Sequence, residues 1–180
     1  MGRLRIRTLT AYLTIFLNYL LYLWNPQGSL RKTWLPSLRR NGLLFSSLWK
    51  VESLVHSLDF IRIPNLSPAF DQEWNTNGRQ EDAAKHILDW ALAQGVEGIK
   101  GEIIKEKDLT PIVFLEIEGT PDVNRNILMY GHFDKQPPFV GWNEGLAPTK
   151  PVLIGDKLYG RGGADDGYAI YGCIMSVLTC

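Results

Sequence analysis

Residues 126–134 read Asn-Ile-Leu-Met-Tyr-Gly-His-Phe-Asp, a short apolar run that ends in a glycine, a histidine and an aspartate. A continuous apolar run of this length is typical of a strand buried on both faces of a sheet. Ligands of open α/β sheets collect beyond the carboxyl ends of strands, so His132 follows the run where a metal ligand would be placed. An imidazole that binds zinc needs a partner for its second nitrogen, and Asp134 could be that partner. A histidine at a strand end also has a simpler explanation, as a hydrogen-bonded residue at the rim of the core.

A second polar cluster follows at residues 158–168, which read Leu-Tyr-Gly-Arg-Gly-Gly-Ala-Asp-Asp-Gly-Tyr. Its glycines let the backbone turn tightly and approach a site closely. Asp165 and Asp166 precede a predicted helix, where carboxylates also serve to cap the helix and to complement its dipole. No Gly-Lys-Ser/Thr follows the glycines and a hairpin precedes them, so the cluster fits neither a phosphate loop nor a dinucleotide site.

The remaining segments alternate helical and strand-like patterns, which predicts an α/β domain. Asn77 with Gln80 resembles a helix-capping arrangement, and Gly95 is a plausible helix end. The predicted elements are a helix from near 43 to before 63 with Phe45, Leu48, Trp49, Val55 and Leu58 on its buried face, a helix from about 79 to 94 burying Ile87, Trp90 and Ala91, strands over 102–105, 111–118 and 126–130, a hairpin of 152–154 and 157–159, and a helix over 168–178 burying Ile170, Ile174, Val177 and Leu178.

The composition indicates one domain with a core, since 45% of the 180 residues are hydrophobic. The net charge of zero conceals a division. Residues 1–50 contain eight Lys and Arg and no Asp or Glu, so residues 51–180 carry a net charge of −8. This acidic body gives no reason to expect a nucleic-acid partner. Cys173 and Cys180 form neither a disulfide framework nor a thiolate zinc motif.

The first part of the chain is a basic and apolar leader, which we separate as residues 1–42 from a domain over residues 43–180. Its apolar run, residues 9–24, is shorter than the roughly 20 residues of a spanning helix and contains Asn18. The run has no convincing cleavage site for a signal peptide. Secretion, attachment to a membrane, and an extension without a structural role all stay open, so no compartment is assigned.

Together, the two clusters resemble the metal-binding stretches of the co-catalytic zinc exopeptidase family. That family includes carnosine-type dipeptidases, carboxypeptidase G, aminoacylase, and the acetylornithine and succinyl-diaminopimelate deacylases. The resemblance is carried, in this order, by residues 130–134, by Gly141-Trp142 and by residues 158–166. Lys135-Gln136-Pro137 and Gly167-Tyr168 are similar to the dipeptidase branch.

The resemblance covers about residues 43–180 and implies a fold. The chain would be the N-terminal portion of a zinc exopeptidase catalytic domain, an incomplete mixed sheet flanked by helices. It also implies roles: His132 would bind one zinc ion, Asp165 would bridge two, and Asp134 would be the catalytic-site carboxylate that holds His132. Asp166 would be structural, and Arg161 would support the loop. Manganese or cobalt are alternatives to zinc.

The family also needs a Glu-Glu pair, an aspartate and a distant histidine, which the resemblance places downstream of the helix that begins near Tyr168. The expected function is therefore a zinc-dependent hydrolase of dipeptidase type that cleaves dipeptides or short peptides in its full-length form. The 180-residue fragment would be inactive by itself, and homodimers would form only from the full-length protein. The alternatives are an N-acyl amino acid deacylase of the same family, and a non-catalytic module held at a membrane by residues 9–24.

Overall fold

A computed structural model describes residues 53–119, 126–155 and 157–179. The predicted leader with its apolar run, and the first ten positions of the predicted domain, lie outside these residues. None of the helices within the described ranges is long and apolar enough to cross a membrane. The elements, in chain order, are α1 (Leu54–Arg62), α2 (Arg79–Ala93), β1 (Ile99–Ile104), β2 (Ile112–Ile117), β3 (Val152–Ile154), β4 (Lys157–Tyr159) and α3 (Tyr168–Thr179).

Helix α1 ends where the sequence predicts, with Ile63 in an extended conformation directly before a proline. Its buried residues are Ser57, Phe60 and Ile61, and the prediction is wrong at Val55, which is 53% exposed. Leu58 is partly buried, and the other predicted positions, Phe45, Leu48 and Trp49, lie outside the described residues. The buried serine is tolerated because its hydroxyl donates to the Ser53 carbonyl oxygen at 2.7 Å. The last turn of α1 faces a glycine-rich turn elsewhere in the chain, and that contact selects the face.

Helix α2 confirms its predicted range to within one residue, and Ile87, Trp90 and Ala91 are buried as expected. The side-chain oxygen of Asn77 accepts from the Arg79 amide at 3.0 Å, just outside the helix. The N-cap itself is Gly78, which adopts a positive φ of 76° and provides no side-chain cap. The predicted capping pair is therefore only half correct.

Strands β1 and β2 form an antiparallel hairpin whose register runs from Ile99 opposite Ile117 to Ile104 opposite Ile112. Helix α2 packs on this hairpin. Gly101 permits the approach, since a Cβ there would lie 2.5 Å from Leu115 Cδ2 and 2.7 Å from Leu88 Cδ1. The second hairpin, β3 and β4, pairs as predicted around Gly155.

The predicted buried strand at residues 126–130 is wrong. These residues belong to neither two-stranded sheet in the described part of the chain. Leu128 is 57% exposed and Tyr130 is 51% exposed. An apolar run is buried on both faces only when strands pair with both of its edges and helices cover both faces. Within the described residues, 126–130 join neither the β1–β2 nor the β3–β4 ladder, and Met129 forms a single bridge only. The mixed α/β character is confirmed, whereas the described sheets are small and antiparallel.

The core lies where the three helices meet. Trp90 of α2 packs edge-on against Tyr171 of α3 with ring centroids 4.6 Å apart, and Phe60 of α1 belongs to the same cluster. Helix α3 buries Tyr171, Ile174 and Met175, so of the four residues predicted to be buried only Ile174 is fully enclosed. Ile170, Val177 and Leu178 are partly buried.

Candidate metal centre

The segment after residue 130 brings His132 next to two carboxylates. The Nδ1 atom of His132 lies 3.1 Å from Asp134 Oδ1 and 3.1 Å from the Asp134 carbonyl oxygen. The backbone amide of His132 donates to Asp166 Oδ2 at 3.3 Å. These contacts orient the ring, because Nδ1 faces Asp134 and Nε2 points away from it.

The second ring nitrogen of His132, Nε2, lies close to Asp165, the other predicted ligand. His132 Nε2 lies 3.3 Å from Asp165 Oδ1. Two ligand atoms at about 2.0–2.1 Å from a tetrahedral zinc ion would lie about 3.3–3.4 Å apart. The separation therefore fits two members of one coordination shell. Their side chains are 34% and 58% exposed, so a cation could reach both.

Asp165 is positioned by a turn whose glycines lie against α1. A Cβ at Gly160 would lie 2.5 Å from Ile61 Cγ2, and one at Gly167 would lie 2.3 Å from Phe60 Cε1. The turn closes on itself through a 2.9 Å hydrogen bond from the Gly167 amide to the Gly162 carbonyl oxygen. The peptide bond between Asp165 and Asp166 is cis. The glycines are thus needed because the turn packs directly on the end of a helix.

Burial and charge act in opposite directions on His132. Desolvation lowers the pKa of its imidazole, but hydrogen bonds to Asp134 and the negative charges of Asp134 and Asp166 outweigh this, so the pKa is raised. Burial raises the pKa of the Asp166 carboxyl, although the His132 amide and ring oppose the shift. The centre therefore has a negative character that favours a cation.

A cavity of about 520 Å³ adjoins the centre, and its lining includes His132, Asp134 and Asp166. The rest of the lining is mainly apolar and includes Phe114 and Ile174. Cys173 also lines the cavity, and burial raises the pKa of its thiol to about 11. A thiol with so high a pKa is protonated at neutral pH and is a poor metal ligand.

Two residues have contacts that sequence reasoning missed. Lys135, noted only as a mark of the dipeptidase branch, is 2% exposed and donates to carbonyl oxygens of α1 and its end. Asp166 accepts from the His132 amide and thereby connects the two clusters. Neither contact has a sequence signal, because each joins segments far apart in the chain.

Arg161 stacks on the Phe139 ring at 4.3 Å, and its amide donates to the Pro148 carbonyl oxygen at 2.8 Å.

No protein-family model matches the chain, and no curated protein matches it. The family resemblance therefore rests on the motifs themselves. Within residues 53–119, 126–155 and 157–179, no group of three or more His, Cys, Asp or Glu side chains could hold a metal ion. The described part of the chain thus contributes a pair of candidate ligands, His132 and Asp165.

Proposed function

We propose that this chain carries part of the catalytic domain of a zinc-dependent hydrolase of dipeptidase type, acting on peptide bonds of dipeptides or short peptides. His132 and Asp165 are the proposed metal ligands, and Asp134 is the carboxylate that orients His132. The observation that supports this most is the 3.3 Å separation of His132 Nε2 and Asp165 Oδ1, which suits two ligands of one tetrahedral ion.

Each side chain has a definable part in such a centre. A contact between Asp134 and Nδ1 keeps the proton on that nitrogen, which leaves the lone pair of Nε2 for a metal. Asp166 holds the backbone of His132 in place. Asp165 is the more exposed ligand, with 58% of its side chain accessible, and we propose that it bridges to a neighbouring ion. Zinc bound here would supply a water molecule with a pKa near 7, and hence a nucleophile at neutral pH.

The proposal includes a larger ligand set. A zinc ion in a protein generally has four ligands, and the described residues offer a pair. The family resemblance assigns the further ligands and the general base to residues downstream of α3. We therefore propose that the 180-residue chain binds zinc weakly and does not hydrolyse peptides by itself.

Isothermal titration of the chain with Zn²⁺ tests the metal site. His132→Ala and Asp165→Asn should each reduce the affinity, whereas Glu102→Gln, on the exposed side of β1, should leave it unchanged. Equal affinities in all four proteins would refute the site.

An assay of the chain on a panel of dipeptides and N-acyl amino acids, with zinc or manganese, tests the activity. We expect no turnover. Dipeptide hydrolysis abolished by His132→Ala would show that the chain is active alone, and preference for N-acyl amino acids would favour a deacylase.

A further inference from the structure

Lys135 lies at the junction of three segments that build the candidate metal centre. Its side chain is 2% exposed, which is rare for a lysine. The Nζ atom donates to the carbonyl oxygen of Phe60 at 2.7 Å and to that of Ile63, and lies 3.5 Å from that of Ile61. It also lies 4.2 Å from the centroid of the Phe60 ring. These carbonyl groups belong to the last turn and the end of α1.

The chemistry of a helix C-terminus explains why a lysine is found here. The last carbonyl oxygens of a helix have no partner within the helix, and the end of the helix attracts a cation. An ammonium group has three hydrogens and can serve several carbonyl groups at once. Burial lowers the pKa of Lys135 to about 7, while the carbonyl oxygens and the aromatic ring favour its charged form.

The backbone around Lys135 is hydrogen-bonded to the segment that follows α1. The Lys135 amide donates to the Asn65 carbonyl oxygen at 2.9 Å, and the Ser67 amide donates to the Lys135 carbonyl oxygen at 2.9 Å. The Asn65 side chain donates to the Phe133 carbonyl oxygen at 2.8 Å. The residues on either side of Asp134 are therefore held against the chain that leaves α1.

The aliphatic part of Lys135 lies against the turn that carries Asp165. A Cβ at Gly162 would lie 2.6 Å from Lys135 Cε and 2.9 Å from its Cγ. One side chain therefore touches the end of α1 and the glycine turn, while its own backbone follows His132 and Asp134 in the chain.

We infer that Lys135 is a positioning residue of this centre, which sets the distance between the loop bearing His132 and the turn bearing Asp165. The inference rests on the proposed function in one respect, namely that the distance serves to place His132 and Asp165 around one zinc ion. Lys135 touches neither candidate ligand through its ammonium group, so it acts through the placement of the two segments.

The test uses Lys135→Met, which keeps the aliphatic stem against Gly162 and removes the ammonium group. Lys135→Gln is the second variant, because its shorter amide can still donate to a carbonyl oxygen if the methionine variant does not fold. Lys100→Met, on exposed β1, is the matched control. Ile117→Ala, a core change in β2, controls for a loss of global stability.

Amide hydrogen exchange is the first readout, and it needs no metal. In the Lys135 variants, the protection factors of the Ser67 and Gly167 amides should decrease. This decrease should be about tenfold larger than the decrease for the amides of the β1–β2 hairpin. In Ile117→Ala, the two regions should lose protection together. Exchange in the Lys135 variants that follows the Ile117→Ala pattern would overturn the inference, because it would show a purely global effect.

Zn²⁺ affinity is the second readout. It should fall by about 10- to 100-fold in the Lys135 variants, as for other groups that orient ligands, and stay at the wild-type value in both controls. If wild type binds zinc through His132 and the Lys135 variants bind it equally well, the inference is wrong. If His132→Ala has no effect on zinc binding, the proposed function fails instead, and hydrogen exchange alone decides the role of Lys135.

Discussion

The ring of His132 lies between two aspartates, with Nδ1 3.1 Å from Asp134 Oδ1 and Nε2 3.3 Å from Asp165 Oδ1. The two carboxylates occupy opposite sides of the ring and thus have different tasks. Asp134 is a neighbour in the chain and sets the orientation of the ring. Asp165 arrives from a separate turn, and only the fold brings it to Nε2.

Removal of the charge at Asp134 should weaken zinc binding without unfolding the protein. In Asp134→Asn the side chain keeps its size, but its interaction with the Nδ1 proton is weaker, so the ring is a poorer ligand. We expect the affinity for Zn²⁺ to fall by about 10- to 100-fold, measured by isothermal titration. Asp89→Asn, which changes an exposed carboxylate on α2, is the control, and an equal effect of both substitutions would argue against an orienting role.

Zinc affinity should depend on pH with a defined sign. Protons and zinc compete for the imidazole of His132, and the pKa of this group is raised above its ordinary value of 6.5. Affinity should therefore be highest above this raised pKa and should begin to fall at a higher pH than for an unperturbed histidine. Below the raised pKa the decrease approaches about tenfold per pH unit. Titrations at pH 8, 7 and 6 measure it, and a constant affinity over that range would contradict the assignment of His132 as a ligand.

A methyl group at Gly131 should disturb the approach of the His132 loop to α3. A Cβ at this position would lie 2.5 Å from the Cβ atom of Ala169. We expect Gly131→Ala to lower the free energy of unfolding by about 1–3 kcal/mol, as overpacking generally does. Chemical denaturation measures this change.

A double-mutant cycle provides the control for Gly131. Ala169→Gly removes the opposing methyl group and by itself costs roughly 0.5–1 kcal/mol, as glycine does within a helix. Measured relative to that single variant, Gly131→Ala should cost less than it does in wild type. Strictly additive effects of the two substitutions would show that this contact is not the cause.

Acid should destabilise the helical core through His86. Its Nε2 lies 3.1 Å from the His56 carbonyl oxygen and 3.1 Å from the Tyr171 hydroxyl. Desolvation by burial lowers the pKa of His86 below 6.5, so the unfolded chain takes up a proton before the folded protein does. The free energy of unfolding should therefore fall as the pH drops below about 6.5 and should level off once it passes the lowered pKa.

Thermal unfolding between pH 7.5 and 4.5 measures the effect of His86. In His86→Gln the contribution of this group disappears, so the melting temperature should depend less on pH than in wild type. Identical pH profiles of the two proteins would exclude His86 as the source.

Local patterns predicted the local elements of this fold. Helix α2, the strands β1 and β2, and the hairpin β3–β4 were recognisable because their apolar spacing, and the glycine turn between β3 and β4, involve neighbours in the chain. The burial of Ile87 and Trp90 follows from the same helical period. The contact between His132 and Asp134 was also foreseeable, since only one residue separates them in the chain.

Long-range contacts explain the errors. The exposed face of α1 at Val55 and the exposed run around Leu128 depend on which segments pack there, and periodicity does not contain that information. The burial of Lys135 was equally hidden, because its acceptors belong to a helix far earlier in the chain. The meeting of His132 and Asp165 was expected from the motif order of the family and not from their spacing.

The bond from Lys135 to Phe60 joins positions separated by 75 in the sequence. Closing so long a loop has a larger entropic cost than forming a helical turn, and such contacts form slowly. During synthesis, α1 emerges from the ribosome well before Lys135 does. Assembly therefore has an order, in which the helices can form early and the arrangement around His132 waits for the arrival of the later segments.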